Sequence, residues 1–157
     1  MTPRGKGEPV NSQEKKIPKL GLDTFGTWLI DGEEITHEKS ISVFNRTLER
    51  RPEGYVVVIG REVKTVEVED TAYFVRRVSG TPESGFTLSV SDGTEERLKP
   101  ETIRYKPGRL TARIKNDSEE ARFLSSAYWE LLRFLEETTD EYFLEIEGQR
   151  IKLGSTS

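Results

Sequence analysis

Two sets of residues have the types and the spacing to do chemistry. Glu67, Glu69 and Asp70 place three carboxylates close together. Oxygen ligands of that kind hold magnesium or calcium, and paired carboxylates can exchange protons. On a strand Glu67 and Glu69 share one face, while Asp70 begins a turn. The competing reading is a solvated sheet face balanced by Arg76 and Arg77 on the next strand. The second set is Arg61, Arg76, Arg77 and Arg122, because a guanidinium presents a planar fork that fits phosphate or carboxylate oxygens. Arg76 and Arg77 are neighbours and point to opposite faces, so one pocket can take only one of them. Arg122 stands beside the start of an expected helix, where free backbone N–H groups add to its charge. With Tyr128, the candidate ligand-binding set is Arg61, Arg76, Arg122 and Tyr128. Against it stands simple salt bridging to surface carboxylates.

Other chemistries are thinned out by composition. The chain has no cysteine, which removes disulfides, thiolate nucleophiles and sulfur-ligated metal sites and fits a reducing compartment. Its single histidine, His37, lies between Glu34 and Glu38 at a helix start and reads as an exposed first-turn residue, so a Ser-His-Asp scheme is set aside. Neither a Gly-x-Gly-x-x-Gly turn nor a Gly-x-x-x-x-Gly-Lys-Ser/Thr loop occurs. No catalytic residue, metal ligand or cofactor is therefore assigned. Residues 1 to 19 carry five basic groups against two acidic ones, leaving 19 basic against 26 acidic in the remainder. That surplus of negative charge argues against a nucleic-acid surface. No run approaches the roughly eighteen apolar residues of a membrane span, and the N-terminal residues lack a signal peptide's apolar run. The expectation is a cytoplasmic protein with no membrane partner.

The elements that must position these residues follow from periodicity. Residues 1 to 19 hold almost no apolar residue and read as a flexible tail. Phe25 to Ile30 form a short strand with Trp28 as its buried anchor, closed by a tight turn at Asp31-Gly32. Ile41, Phe44 and Leu48 fall at helical spacing between His37 and Arg50, with Thr36 as N-cap. Tyr55 to Ile59 and Val63 to Glu69 make a hairpin; Tyr73 to Val78, Phe86 to Val90 and Leu110 to Ile114 extend an antiparallel meander. The second helix is expected over residues 118 to 137, with Ala121, Leu124, Tyr128, Leu131, Leu132 and Leu135 as its stripe and Asp117 with Glu120 as a capping box. Trp129 lies off the stripe and is expected to pack on the other half. Tyr142 to Ile146 and Arg150 to Leu153 form a closing hairpin.

A helix followed by a hairpin therefore occurs twice, at an offset of 87 that carries Phe44 and Ile59 onto Leu131 and Ile146. The fold class is α+β: mostly antiparallel sheets with two amphipathic helices and an internal duplication of a helix-plus-hairpin unit. The divisions are a tail over 1–19, a first α+β half over 20–79, and a second half over 80–157 packed on the first.

Several runs resemble one known family. They are Trp28 with Asp31-Gly32, Tyr55, the stretch Val68-Glu69-Asp70-Thr71-Ala72 continuing to Val78, Leu88 to Thr94, Ala121-Arg122-Phe123, and Ala127-Tyr128. Over about residues 22 to 153 the chain is similar to the bacterial family called domain of unknown function 1285, and Val68 to Ala72 is the most specific piece. Gly60-Arg61-Glu62-Val63-Lys64 stands where the family often has Pro-Val-Glu-Lys. The resemblance implies a duplicated α+β core whose second half is like a pleckstrin-homology fold, a nucleotide-like ligand between the halves and a role in signal transduction. It carries over no catalytic residue. The expected function is thus a non-enzymatic module that binds a nucleotide-like small-molecule anion in bacterial signalling. Two alternatives stay open. One is a protein-interaction adaptor that holds a protein partner with a sheet edge, Trp129 or the basic tail. The other is a metal-assisted hydrolase, which requires Glu67, Glu69 and Asp70 to converge.

Overall fold

Turn residues cut the chain into short meanders. In the computed structural model, which describes residues 18–156, Asp31 and Gly32 take φ of 51° and 84° and fold β2 (Trp28–Ile30) back onto β3 (Glu33–Glu34). The expected tail lies outside the described residues except for Pro18 and Lys19. The first sheet adds β1 (Leu20–Leu22), β4 (Glu49–Arg51), β5 (Gly54–Ile59) and β6 (Glu62–Val68), in the order β3-β2-β1-β6-β5-β4. A second sheet holds β7 (Tyr73–Thr81), β8 (Gly85–Val90), β9 (Glu95–Arg97), β10 (Arg104–Lys106), β11 (Arg109–Ile114) and β12 (Glu119–Phe123), in the order β10-β11-β12-β7-β8-β9. A third sheet has β13 (Glu136–Glu137), β14 (Glu141–Ile146) and β15 (Gln149–Ser155). The described strands fall into five successive antiparallel meanders, β1–β3, β4–β6, β7–β9, β10–β12 and β13–β15. Parallel pairing occurs where the first strand of one meander meets the last of the next, as Leu20 opposite Val66 and Tyr73 opposite Ala121. The expectation of a plain antiparallel succession missed these two seams.

The helices are α1 (Glu38–Thr47) and α2 (Ser125–Leu132). The N-cap of α1 is His37, whose ring nitrogen accepts from Ser40 N, rather than Thr36, and the helix stops three residues short of Arg50, which lies on β4. Phe44 of α1 meets Trp28 at 5.3 Å between ring centroids, and the Trp28 indole donates to Asn45 Oδ1 at 2.9 Å. Trp28 is 1% exposed, so its role as anchor holds.

The second helix is the largest departure from expectation. Residues 119–123 are strand, with Glu119, Ala121 and Phe123 buried in alternation, and Lys115, Asn116 and Asp117 form the turn before it at φ of 54°, 57° and 66°. Asp117 and Glu120 therefore cap nothing. Ala121 sits between Ala112 on β11 and Tyr73 on β7, and pairing on both sides overrides the helical spacing of the side chains.

The duplication stands out in the element starts. α1, β4, β5 and β6 begin at 38, 49, 54 and 62; α2, β13, β14 and β15 begin at 125, 136, 141 and 149, each 87 residues on. Val56 and Val57 correspond to Phe143 and Leu144, and all four are buried. One hydrophobic cluster runs from Leu20 through Phe74, Leu88 and Ala121 to Ile146, so all three sheets share a core. The sheets change over at Glu69–Ala72, and residues 79 and 80 lie within β7. Among the described residues no helix is long and apolar enough to cross a membrane.

Candidate functional site

A slip in strand register builds the site. The β7–β8 ladder passes from Val75 opposite Val90 to Arg77 opposite Ser89, so Arg76 is an extra residue in β7. Such a bulge re-aims a side chain. Arg77 turns to Glu130 on α2 through Nε at 2.9 Å, and the other oxygen of Glu130 accepts from Val78 N at 2.8 Å. The Arg77 hydrogen bond, helped by that amide, holds the Glu130 carboxyl below its usual range. Arg76 is exposed, forms no ion pair among the described residues, and lines an open cleft of about 760 Å³.

The cleft runs along the start of α2. Leu124 occupies the N-cap and has no side-chain oxygen to offer, so the first-turn N–H groups, including those of Ser125 and Ser126 on the cleft wall, have no side-chain partner from the cap. Arg122 leaves β12 three residues earlier. Its side chain is only 14% exposed, its Nη1 lies 3.6 Å from Asp70 Oδ2, and its Nη2 donates to the Gly108 carbonyl at 3.2 Å. Above it lies Phe25, 5.0 Å from guanidinium to ring centroid. Phe25 comes from the turn between β1 and β2 and is 67% exposed. Asp23 Oδ1 holds its turn by accepting from Phe25 N at 2.8 Å and Thr27 N at 2.9 Å. Tyr128 accepts from Gly108 N at 3.2 Å and meets the Trp129 ring edge-on at 4.9 Å. Trp129 is 65% exposed, which corrects the expectation that it packs on the other half.

Asp70 balances part of the positive charge. Arg109 grips it with two donors, Nε at 3.1 Å and Nη2 at 2.8 Å, and that hydrogen bond is the main reason its carboxyl stays below the usual range. Asp70 thus serves two arginines, while Arg76 has no carboxylate partner among the described residues. Three of the four residues proposed from the sequence, Arg76, Arg122 and Tyr128, line one cleft; Arg61 lies on the β5–β6 turn, outside it. The proposed carboxylate trio separates. Glu67 and Glu69 line a shallow groove with Asp23, Glu67 pairing with Lys19 at 3.6 Å, whereas Asp70 faces Arg109. Among the described residues no group of three metal-ligating side chains forms. The carboxylate arrangement that a metal-assisted hydrolase requires is therefore not met.

Sequence reasoning missed Phe25 because it takes that residue as the first of a strand over Phe25 to Ile30, whereas the strand begins at Trp28 and Phe25 lies in the turn before it. It also missed Glu119, a buried carboxylate that accepts from the Tyr55 hydroxyl at 2.6 Å and Arg50 Nε at 2.9 Å and ties the first sheet to the second. No signal in the sequence marked that residue, because its strand was read as helix.

No protein-family model and no curated protein matches the chain. Two solved structures do share its fold. A DUF1285 family protein from Silicibacter pomeroyi DSS-3 superposes with a TM-score of 0.64 at 16% identity, covering 88% of this chain and 80% of its own. A DUF1285 family protein from Shewanella baltica OS155 gives a TM-score of 0.56 at 17% identity, covering 74% of this chain and 92% of its own.

Proposed function

We propose that this chain, with the fold of those two DUF1285 family proteins, is a non-enzymatic module that binds a small-molecule anion in the cleft between Phe25, Arg76 and the start of α2. The bulge at Arg76 carries the reading: a ladder irregularity delivers a guanidinium with no carboxylate partner among the described residues to the wall of a cleft. The uncapped first turn of α2 lies on the same wall and adds partial positive charge. Arg122, already committed to Asp70 and stacked under Phe25, supports the floor. In this reading the module works in the cytoplasm, which the cysteine-free sequence fits, and ligand occupancy is a signal passed to another component.

Thermal unfolding of the full chain against inorganic phosphate, sugar phosphates, nucleotides and small carboxylates tests this. A ligand at a hundred times its Kd should add about 2.7 kcal/mol and raise Tm by several degrees. Arg76→Ala should abolish the shift without lowering the Tm of the free protein, because Arg76 holds no other group among the described residues; Arg61→Ala should leave it intact. No shift from any anion sinks the proposal.

A second reading rests on Phe25 and Trp129, two large aromatics about two-thirds exposed at one cleft. A protein partner could seat an apolar side chain between them. Trp129→Ala would then abolish partner capture while leaving any anion-induced Tm shift in place.

A further inference from the structure

A smaller cavity lies farther along α2, away from the anion cleft. Its volume is about 160 Å³ and its walls are Tyr105 of β10, Leu132 of α2, Leu135, Tyr142 of β14, and Leu153 and Gly154 of β15. A second register slip shapes it. The β14–β15 ladder passes from Tyr142 opposite Gly154 to Phe143 opposite Lys152, which makes Leu153 the extra residue, and that leucine lines the cavity. The two ladder slips in β7 and β15 thus each lie beside a cavity, one supplying a charge and the other an apolar side chain.

The wall chemistry narrows the occupant. No charged side chain lines the cavity, so an ion entering it would lose hydration without a partner. Three leucines supply the apolar surface, and the two tyrosines offer ring faces and edges that favour another ring. An apolar-walled space of about 150 Å³ is large enough to accept a molecule of benzene's size. Leu135, 39% exposed, leaves a route in from solvent. We infer that the space between β10, the end of α2 and the β14–β15 hairpin is a second binding site, for an uncharged single-ring aromatic molecule.

The test is a titration of the full chain with phenol, followed by the methyl resonances of its leucines, with benzoate as a charged control of similar shape. The expected result is a saturable shift of the Leu132, Leu135 and Leu153 methyls with phenol and none with benzoate. Leu135→Trp, at a partly exposed position, should fill the mouth and abolish the phenol shift at unchanged Tm, and Leu153→Phe provides an independent block from the opposite wall. The inference is overturned by shifts that rise linearly without saturating, by benzoate acting as phenol does, or by undiminished binding in both variants. Arg76→Ala should leave phenol binding untouched, which separates this site from the anion cleft.

Discussion

At Asp70 one carboxylate answers to two guanidiniums, and that sharing has a measurable pH signature. Its folded pKa is depressed, chiefly by the Arg109 hydrogen bond, so its contribution to stability is complete above the ordinary carboxylate range and is lost as pH falls through the folded value. Asp70→Asn should cost about 1–3 kcal/mol at neutral pH. It should also flatten part of the loss of stability seen in urea denaturation as pH falls below the ordinary carboxylate range. Glu130 and Asp92 are depressed too and keep the remainder of the slope; at Asp92 burial pushes upward but the Lys115 ammonium and Thr94 outweigh it. Tyr55 behaves in the opposite sense. Burial first, and then Glu119, push its phenol up to about 12, so its contribution is fully present below the usual value of 10.0 and fades as pH rises through 12. Tyr55→Phe should remove a donor from the buried Glu119 and cost about 1–3 kcal/mol, and an ultraviolet titration should lose one of its late-titrating phenols while those of Tyr73 and Tyr105, which are raised as well, remain. Of these residues only the charges were legible beforehand. Arg76 could be nominated because guanidinium chemistry is local, whereas the partners of Asp70, Glu119 and Phe25 lie tens of residues away.

Among the elements, hairpins and the alternating strand β11 were readable, whereas β12 was not. β5 with β6 and β14 with β15 each carry alternation and a turn within a few residues, so everything that specifies them is local. β12 is strand only because β7 and β11 flank it, and its spacing of Ala121, Leu124 and Tyr128 suits a helix equally well. The ladder slip at Arg76 depends on how β7 meets β8 and leaves no mark in either sequence. The β7–β8 hairpin offers a test of how tightly that junction is fixed. Gly80 has φ of 119°, and a Cβ there would collide with the Gly85 carbonyl across the hairpin, whereas Gly93, at φ of 91°, has nothing within 4 Å. Gly93→Ala should cost about 1–2 kcal/mol from backbone conformation alone. Gly80→Ala should cost about 3 kcal/mol or more, and equal values in chemical denaturation would mean the hairpin opens without penalty.

For the whole molecule, the duplication at 87 residues could be read because it preserves the order of elements, but the interleaving of the sheets could not. Glu119 binds Arg50 and Tyr55 across the two larger sheets, the Tyr73 hydroxyl donates to the Leu48 carbonyl, and the core is one cluster. Unfolding should therefore be a single cooperative transition, with far-ultraviolet circular dichroism and tryptophan fluorescence tracing coincident curves; separated curves would mean that the sheets melt independently. The two parallel seams carry a kinetic consequence. Within each meander, pairing closes over a few residues, on the microsecond scale of hairpins. Joining β1 to β6, or β7 to β12, instead requires positions about fifty residues apart to meet. The meanders should thus zip early and separately, and the search that limits the folding rate should be the docking of finished meanders along β1–β6 and β7–β12, where a misregistered encounter has no local turn to correct it.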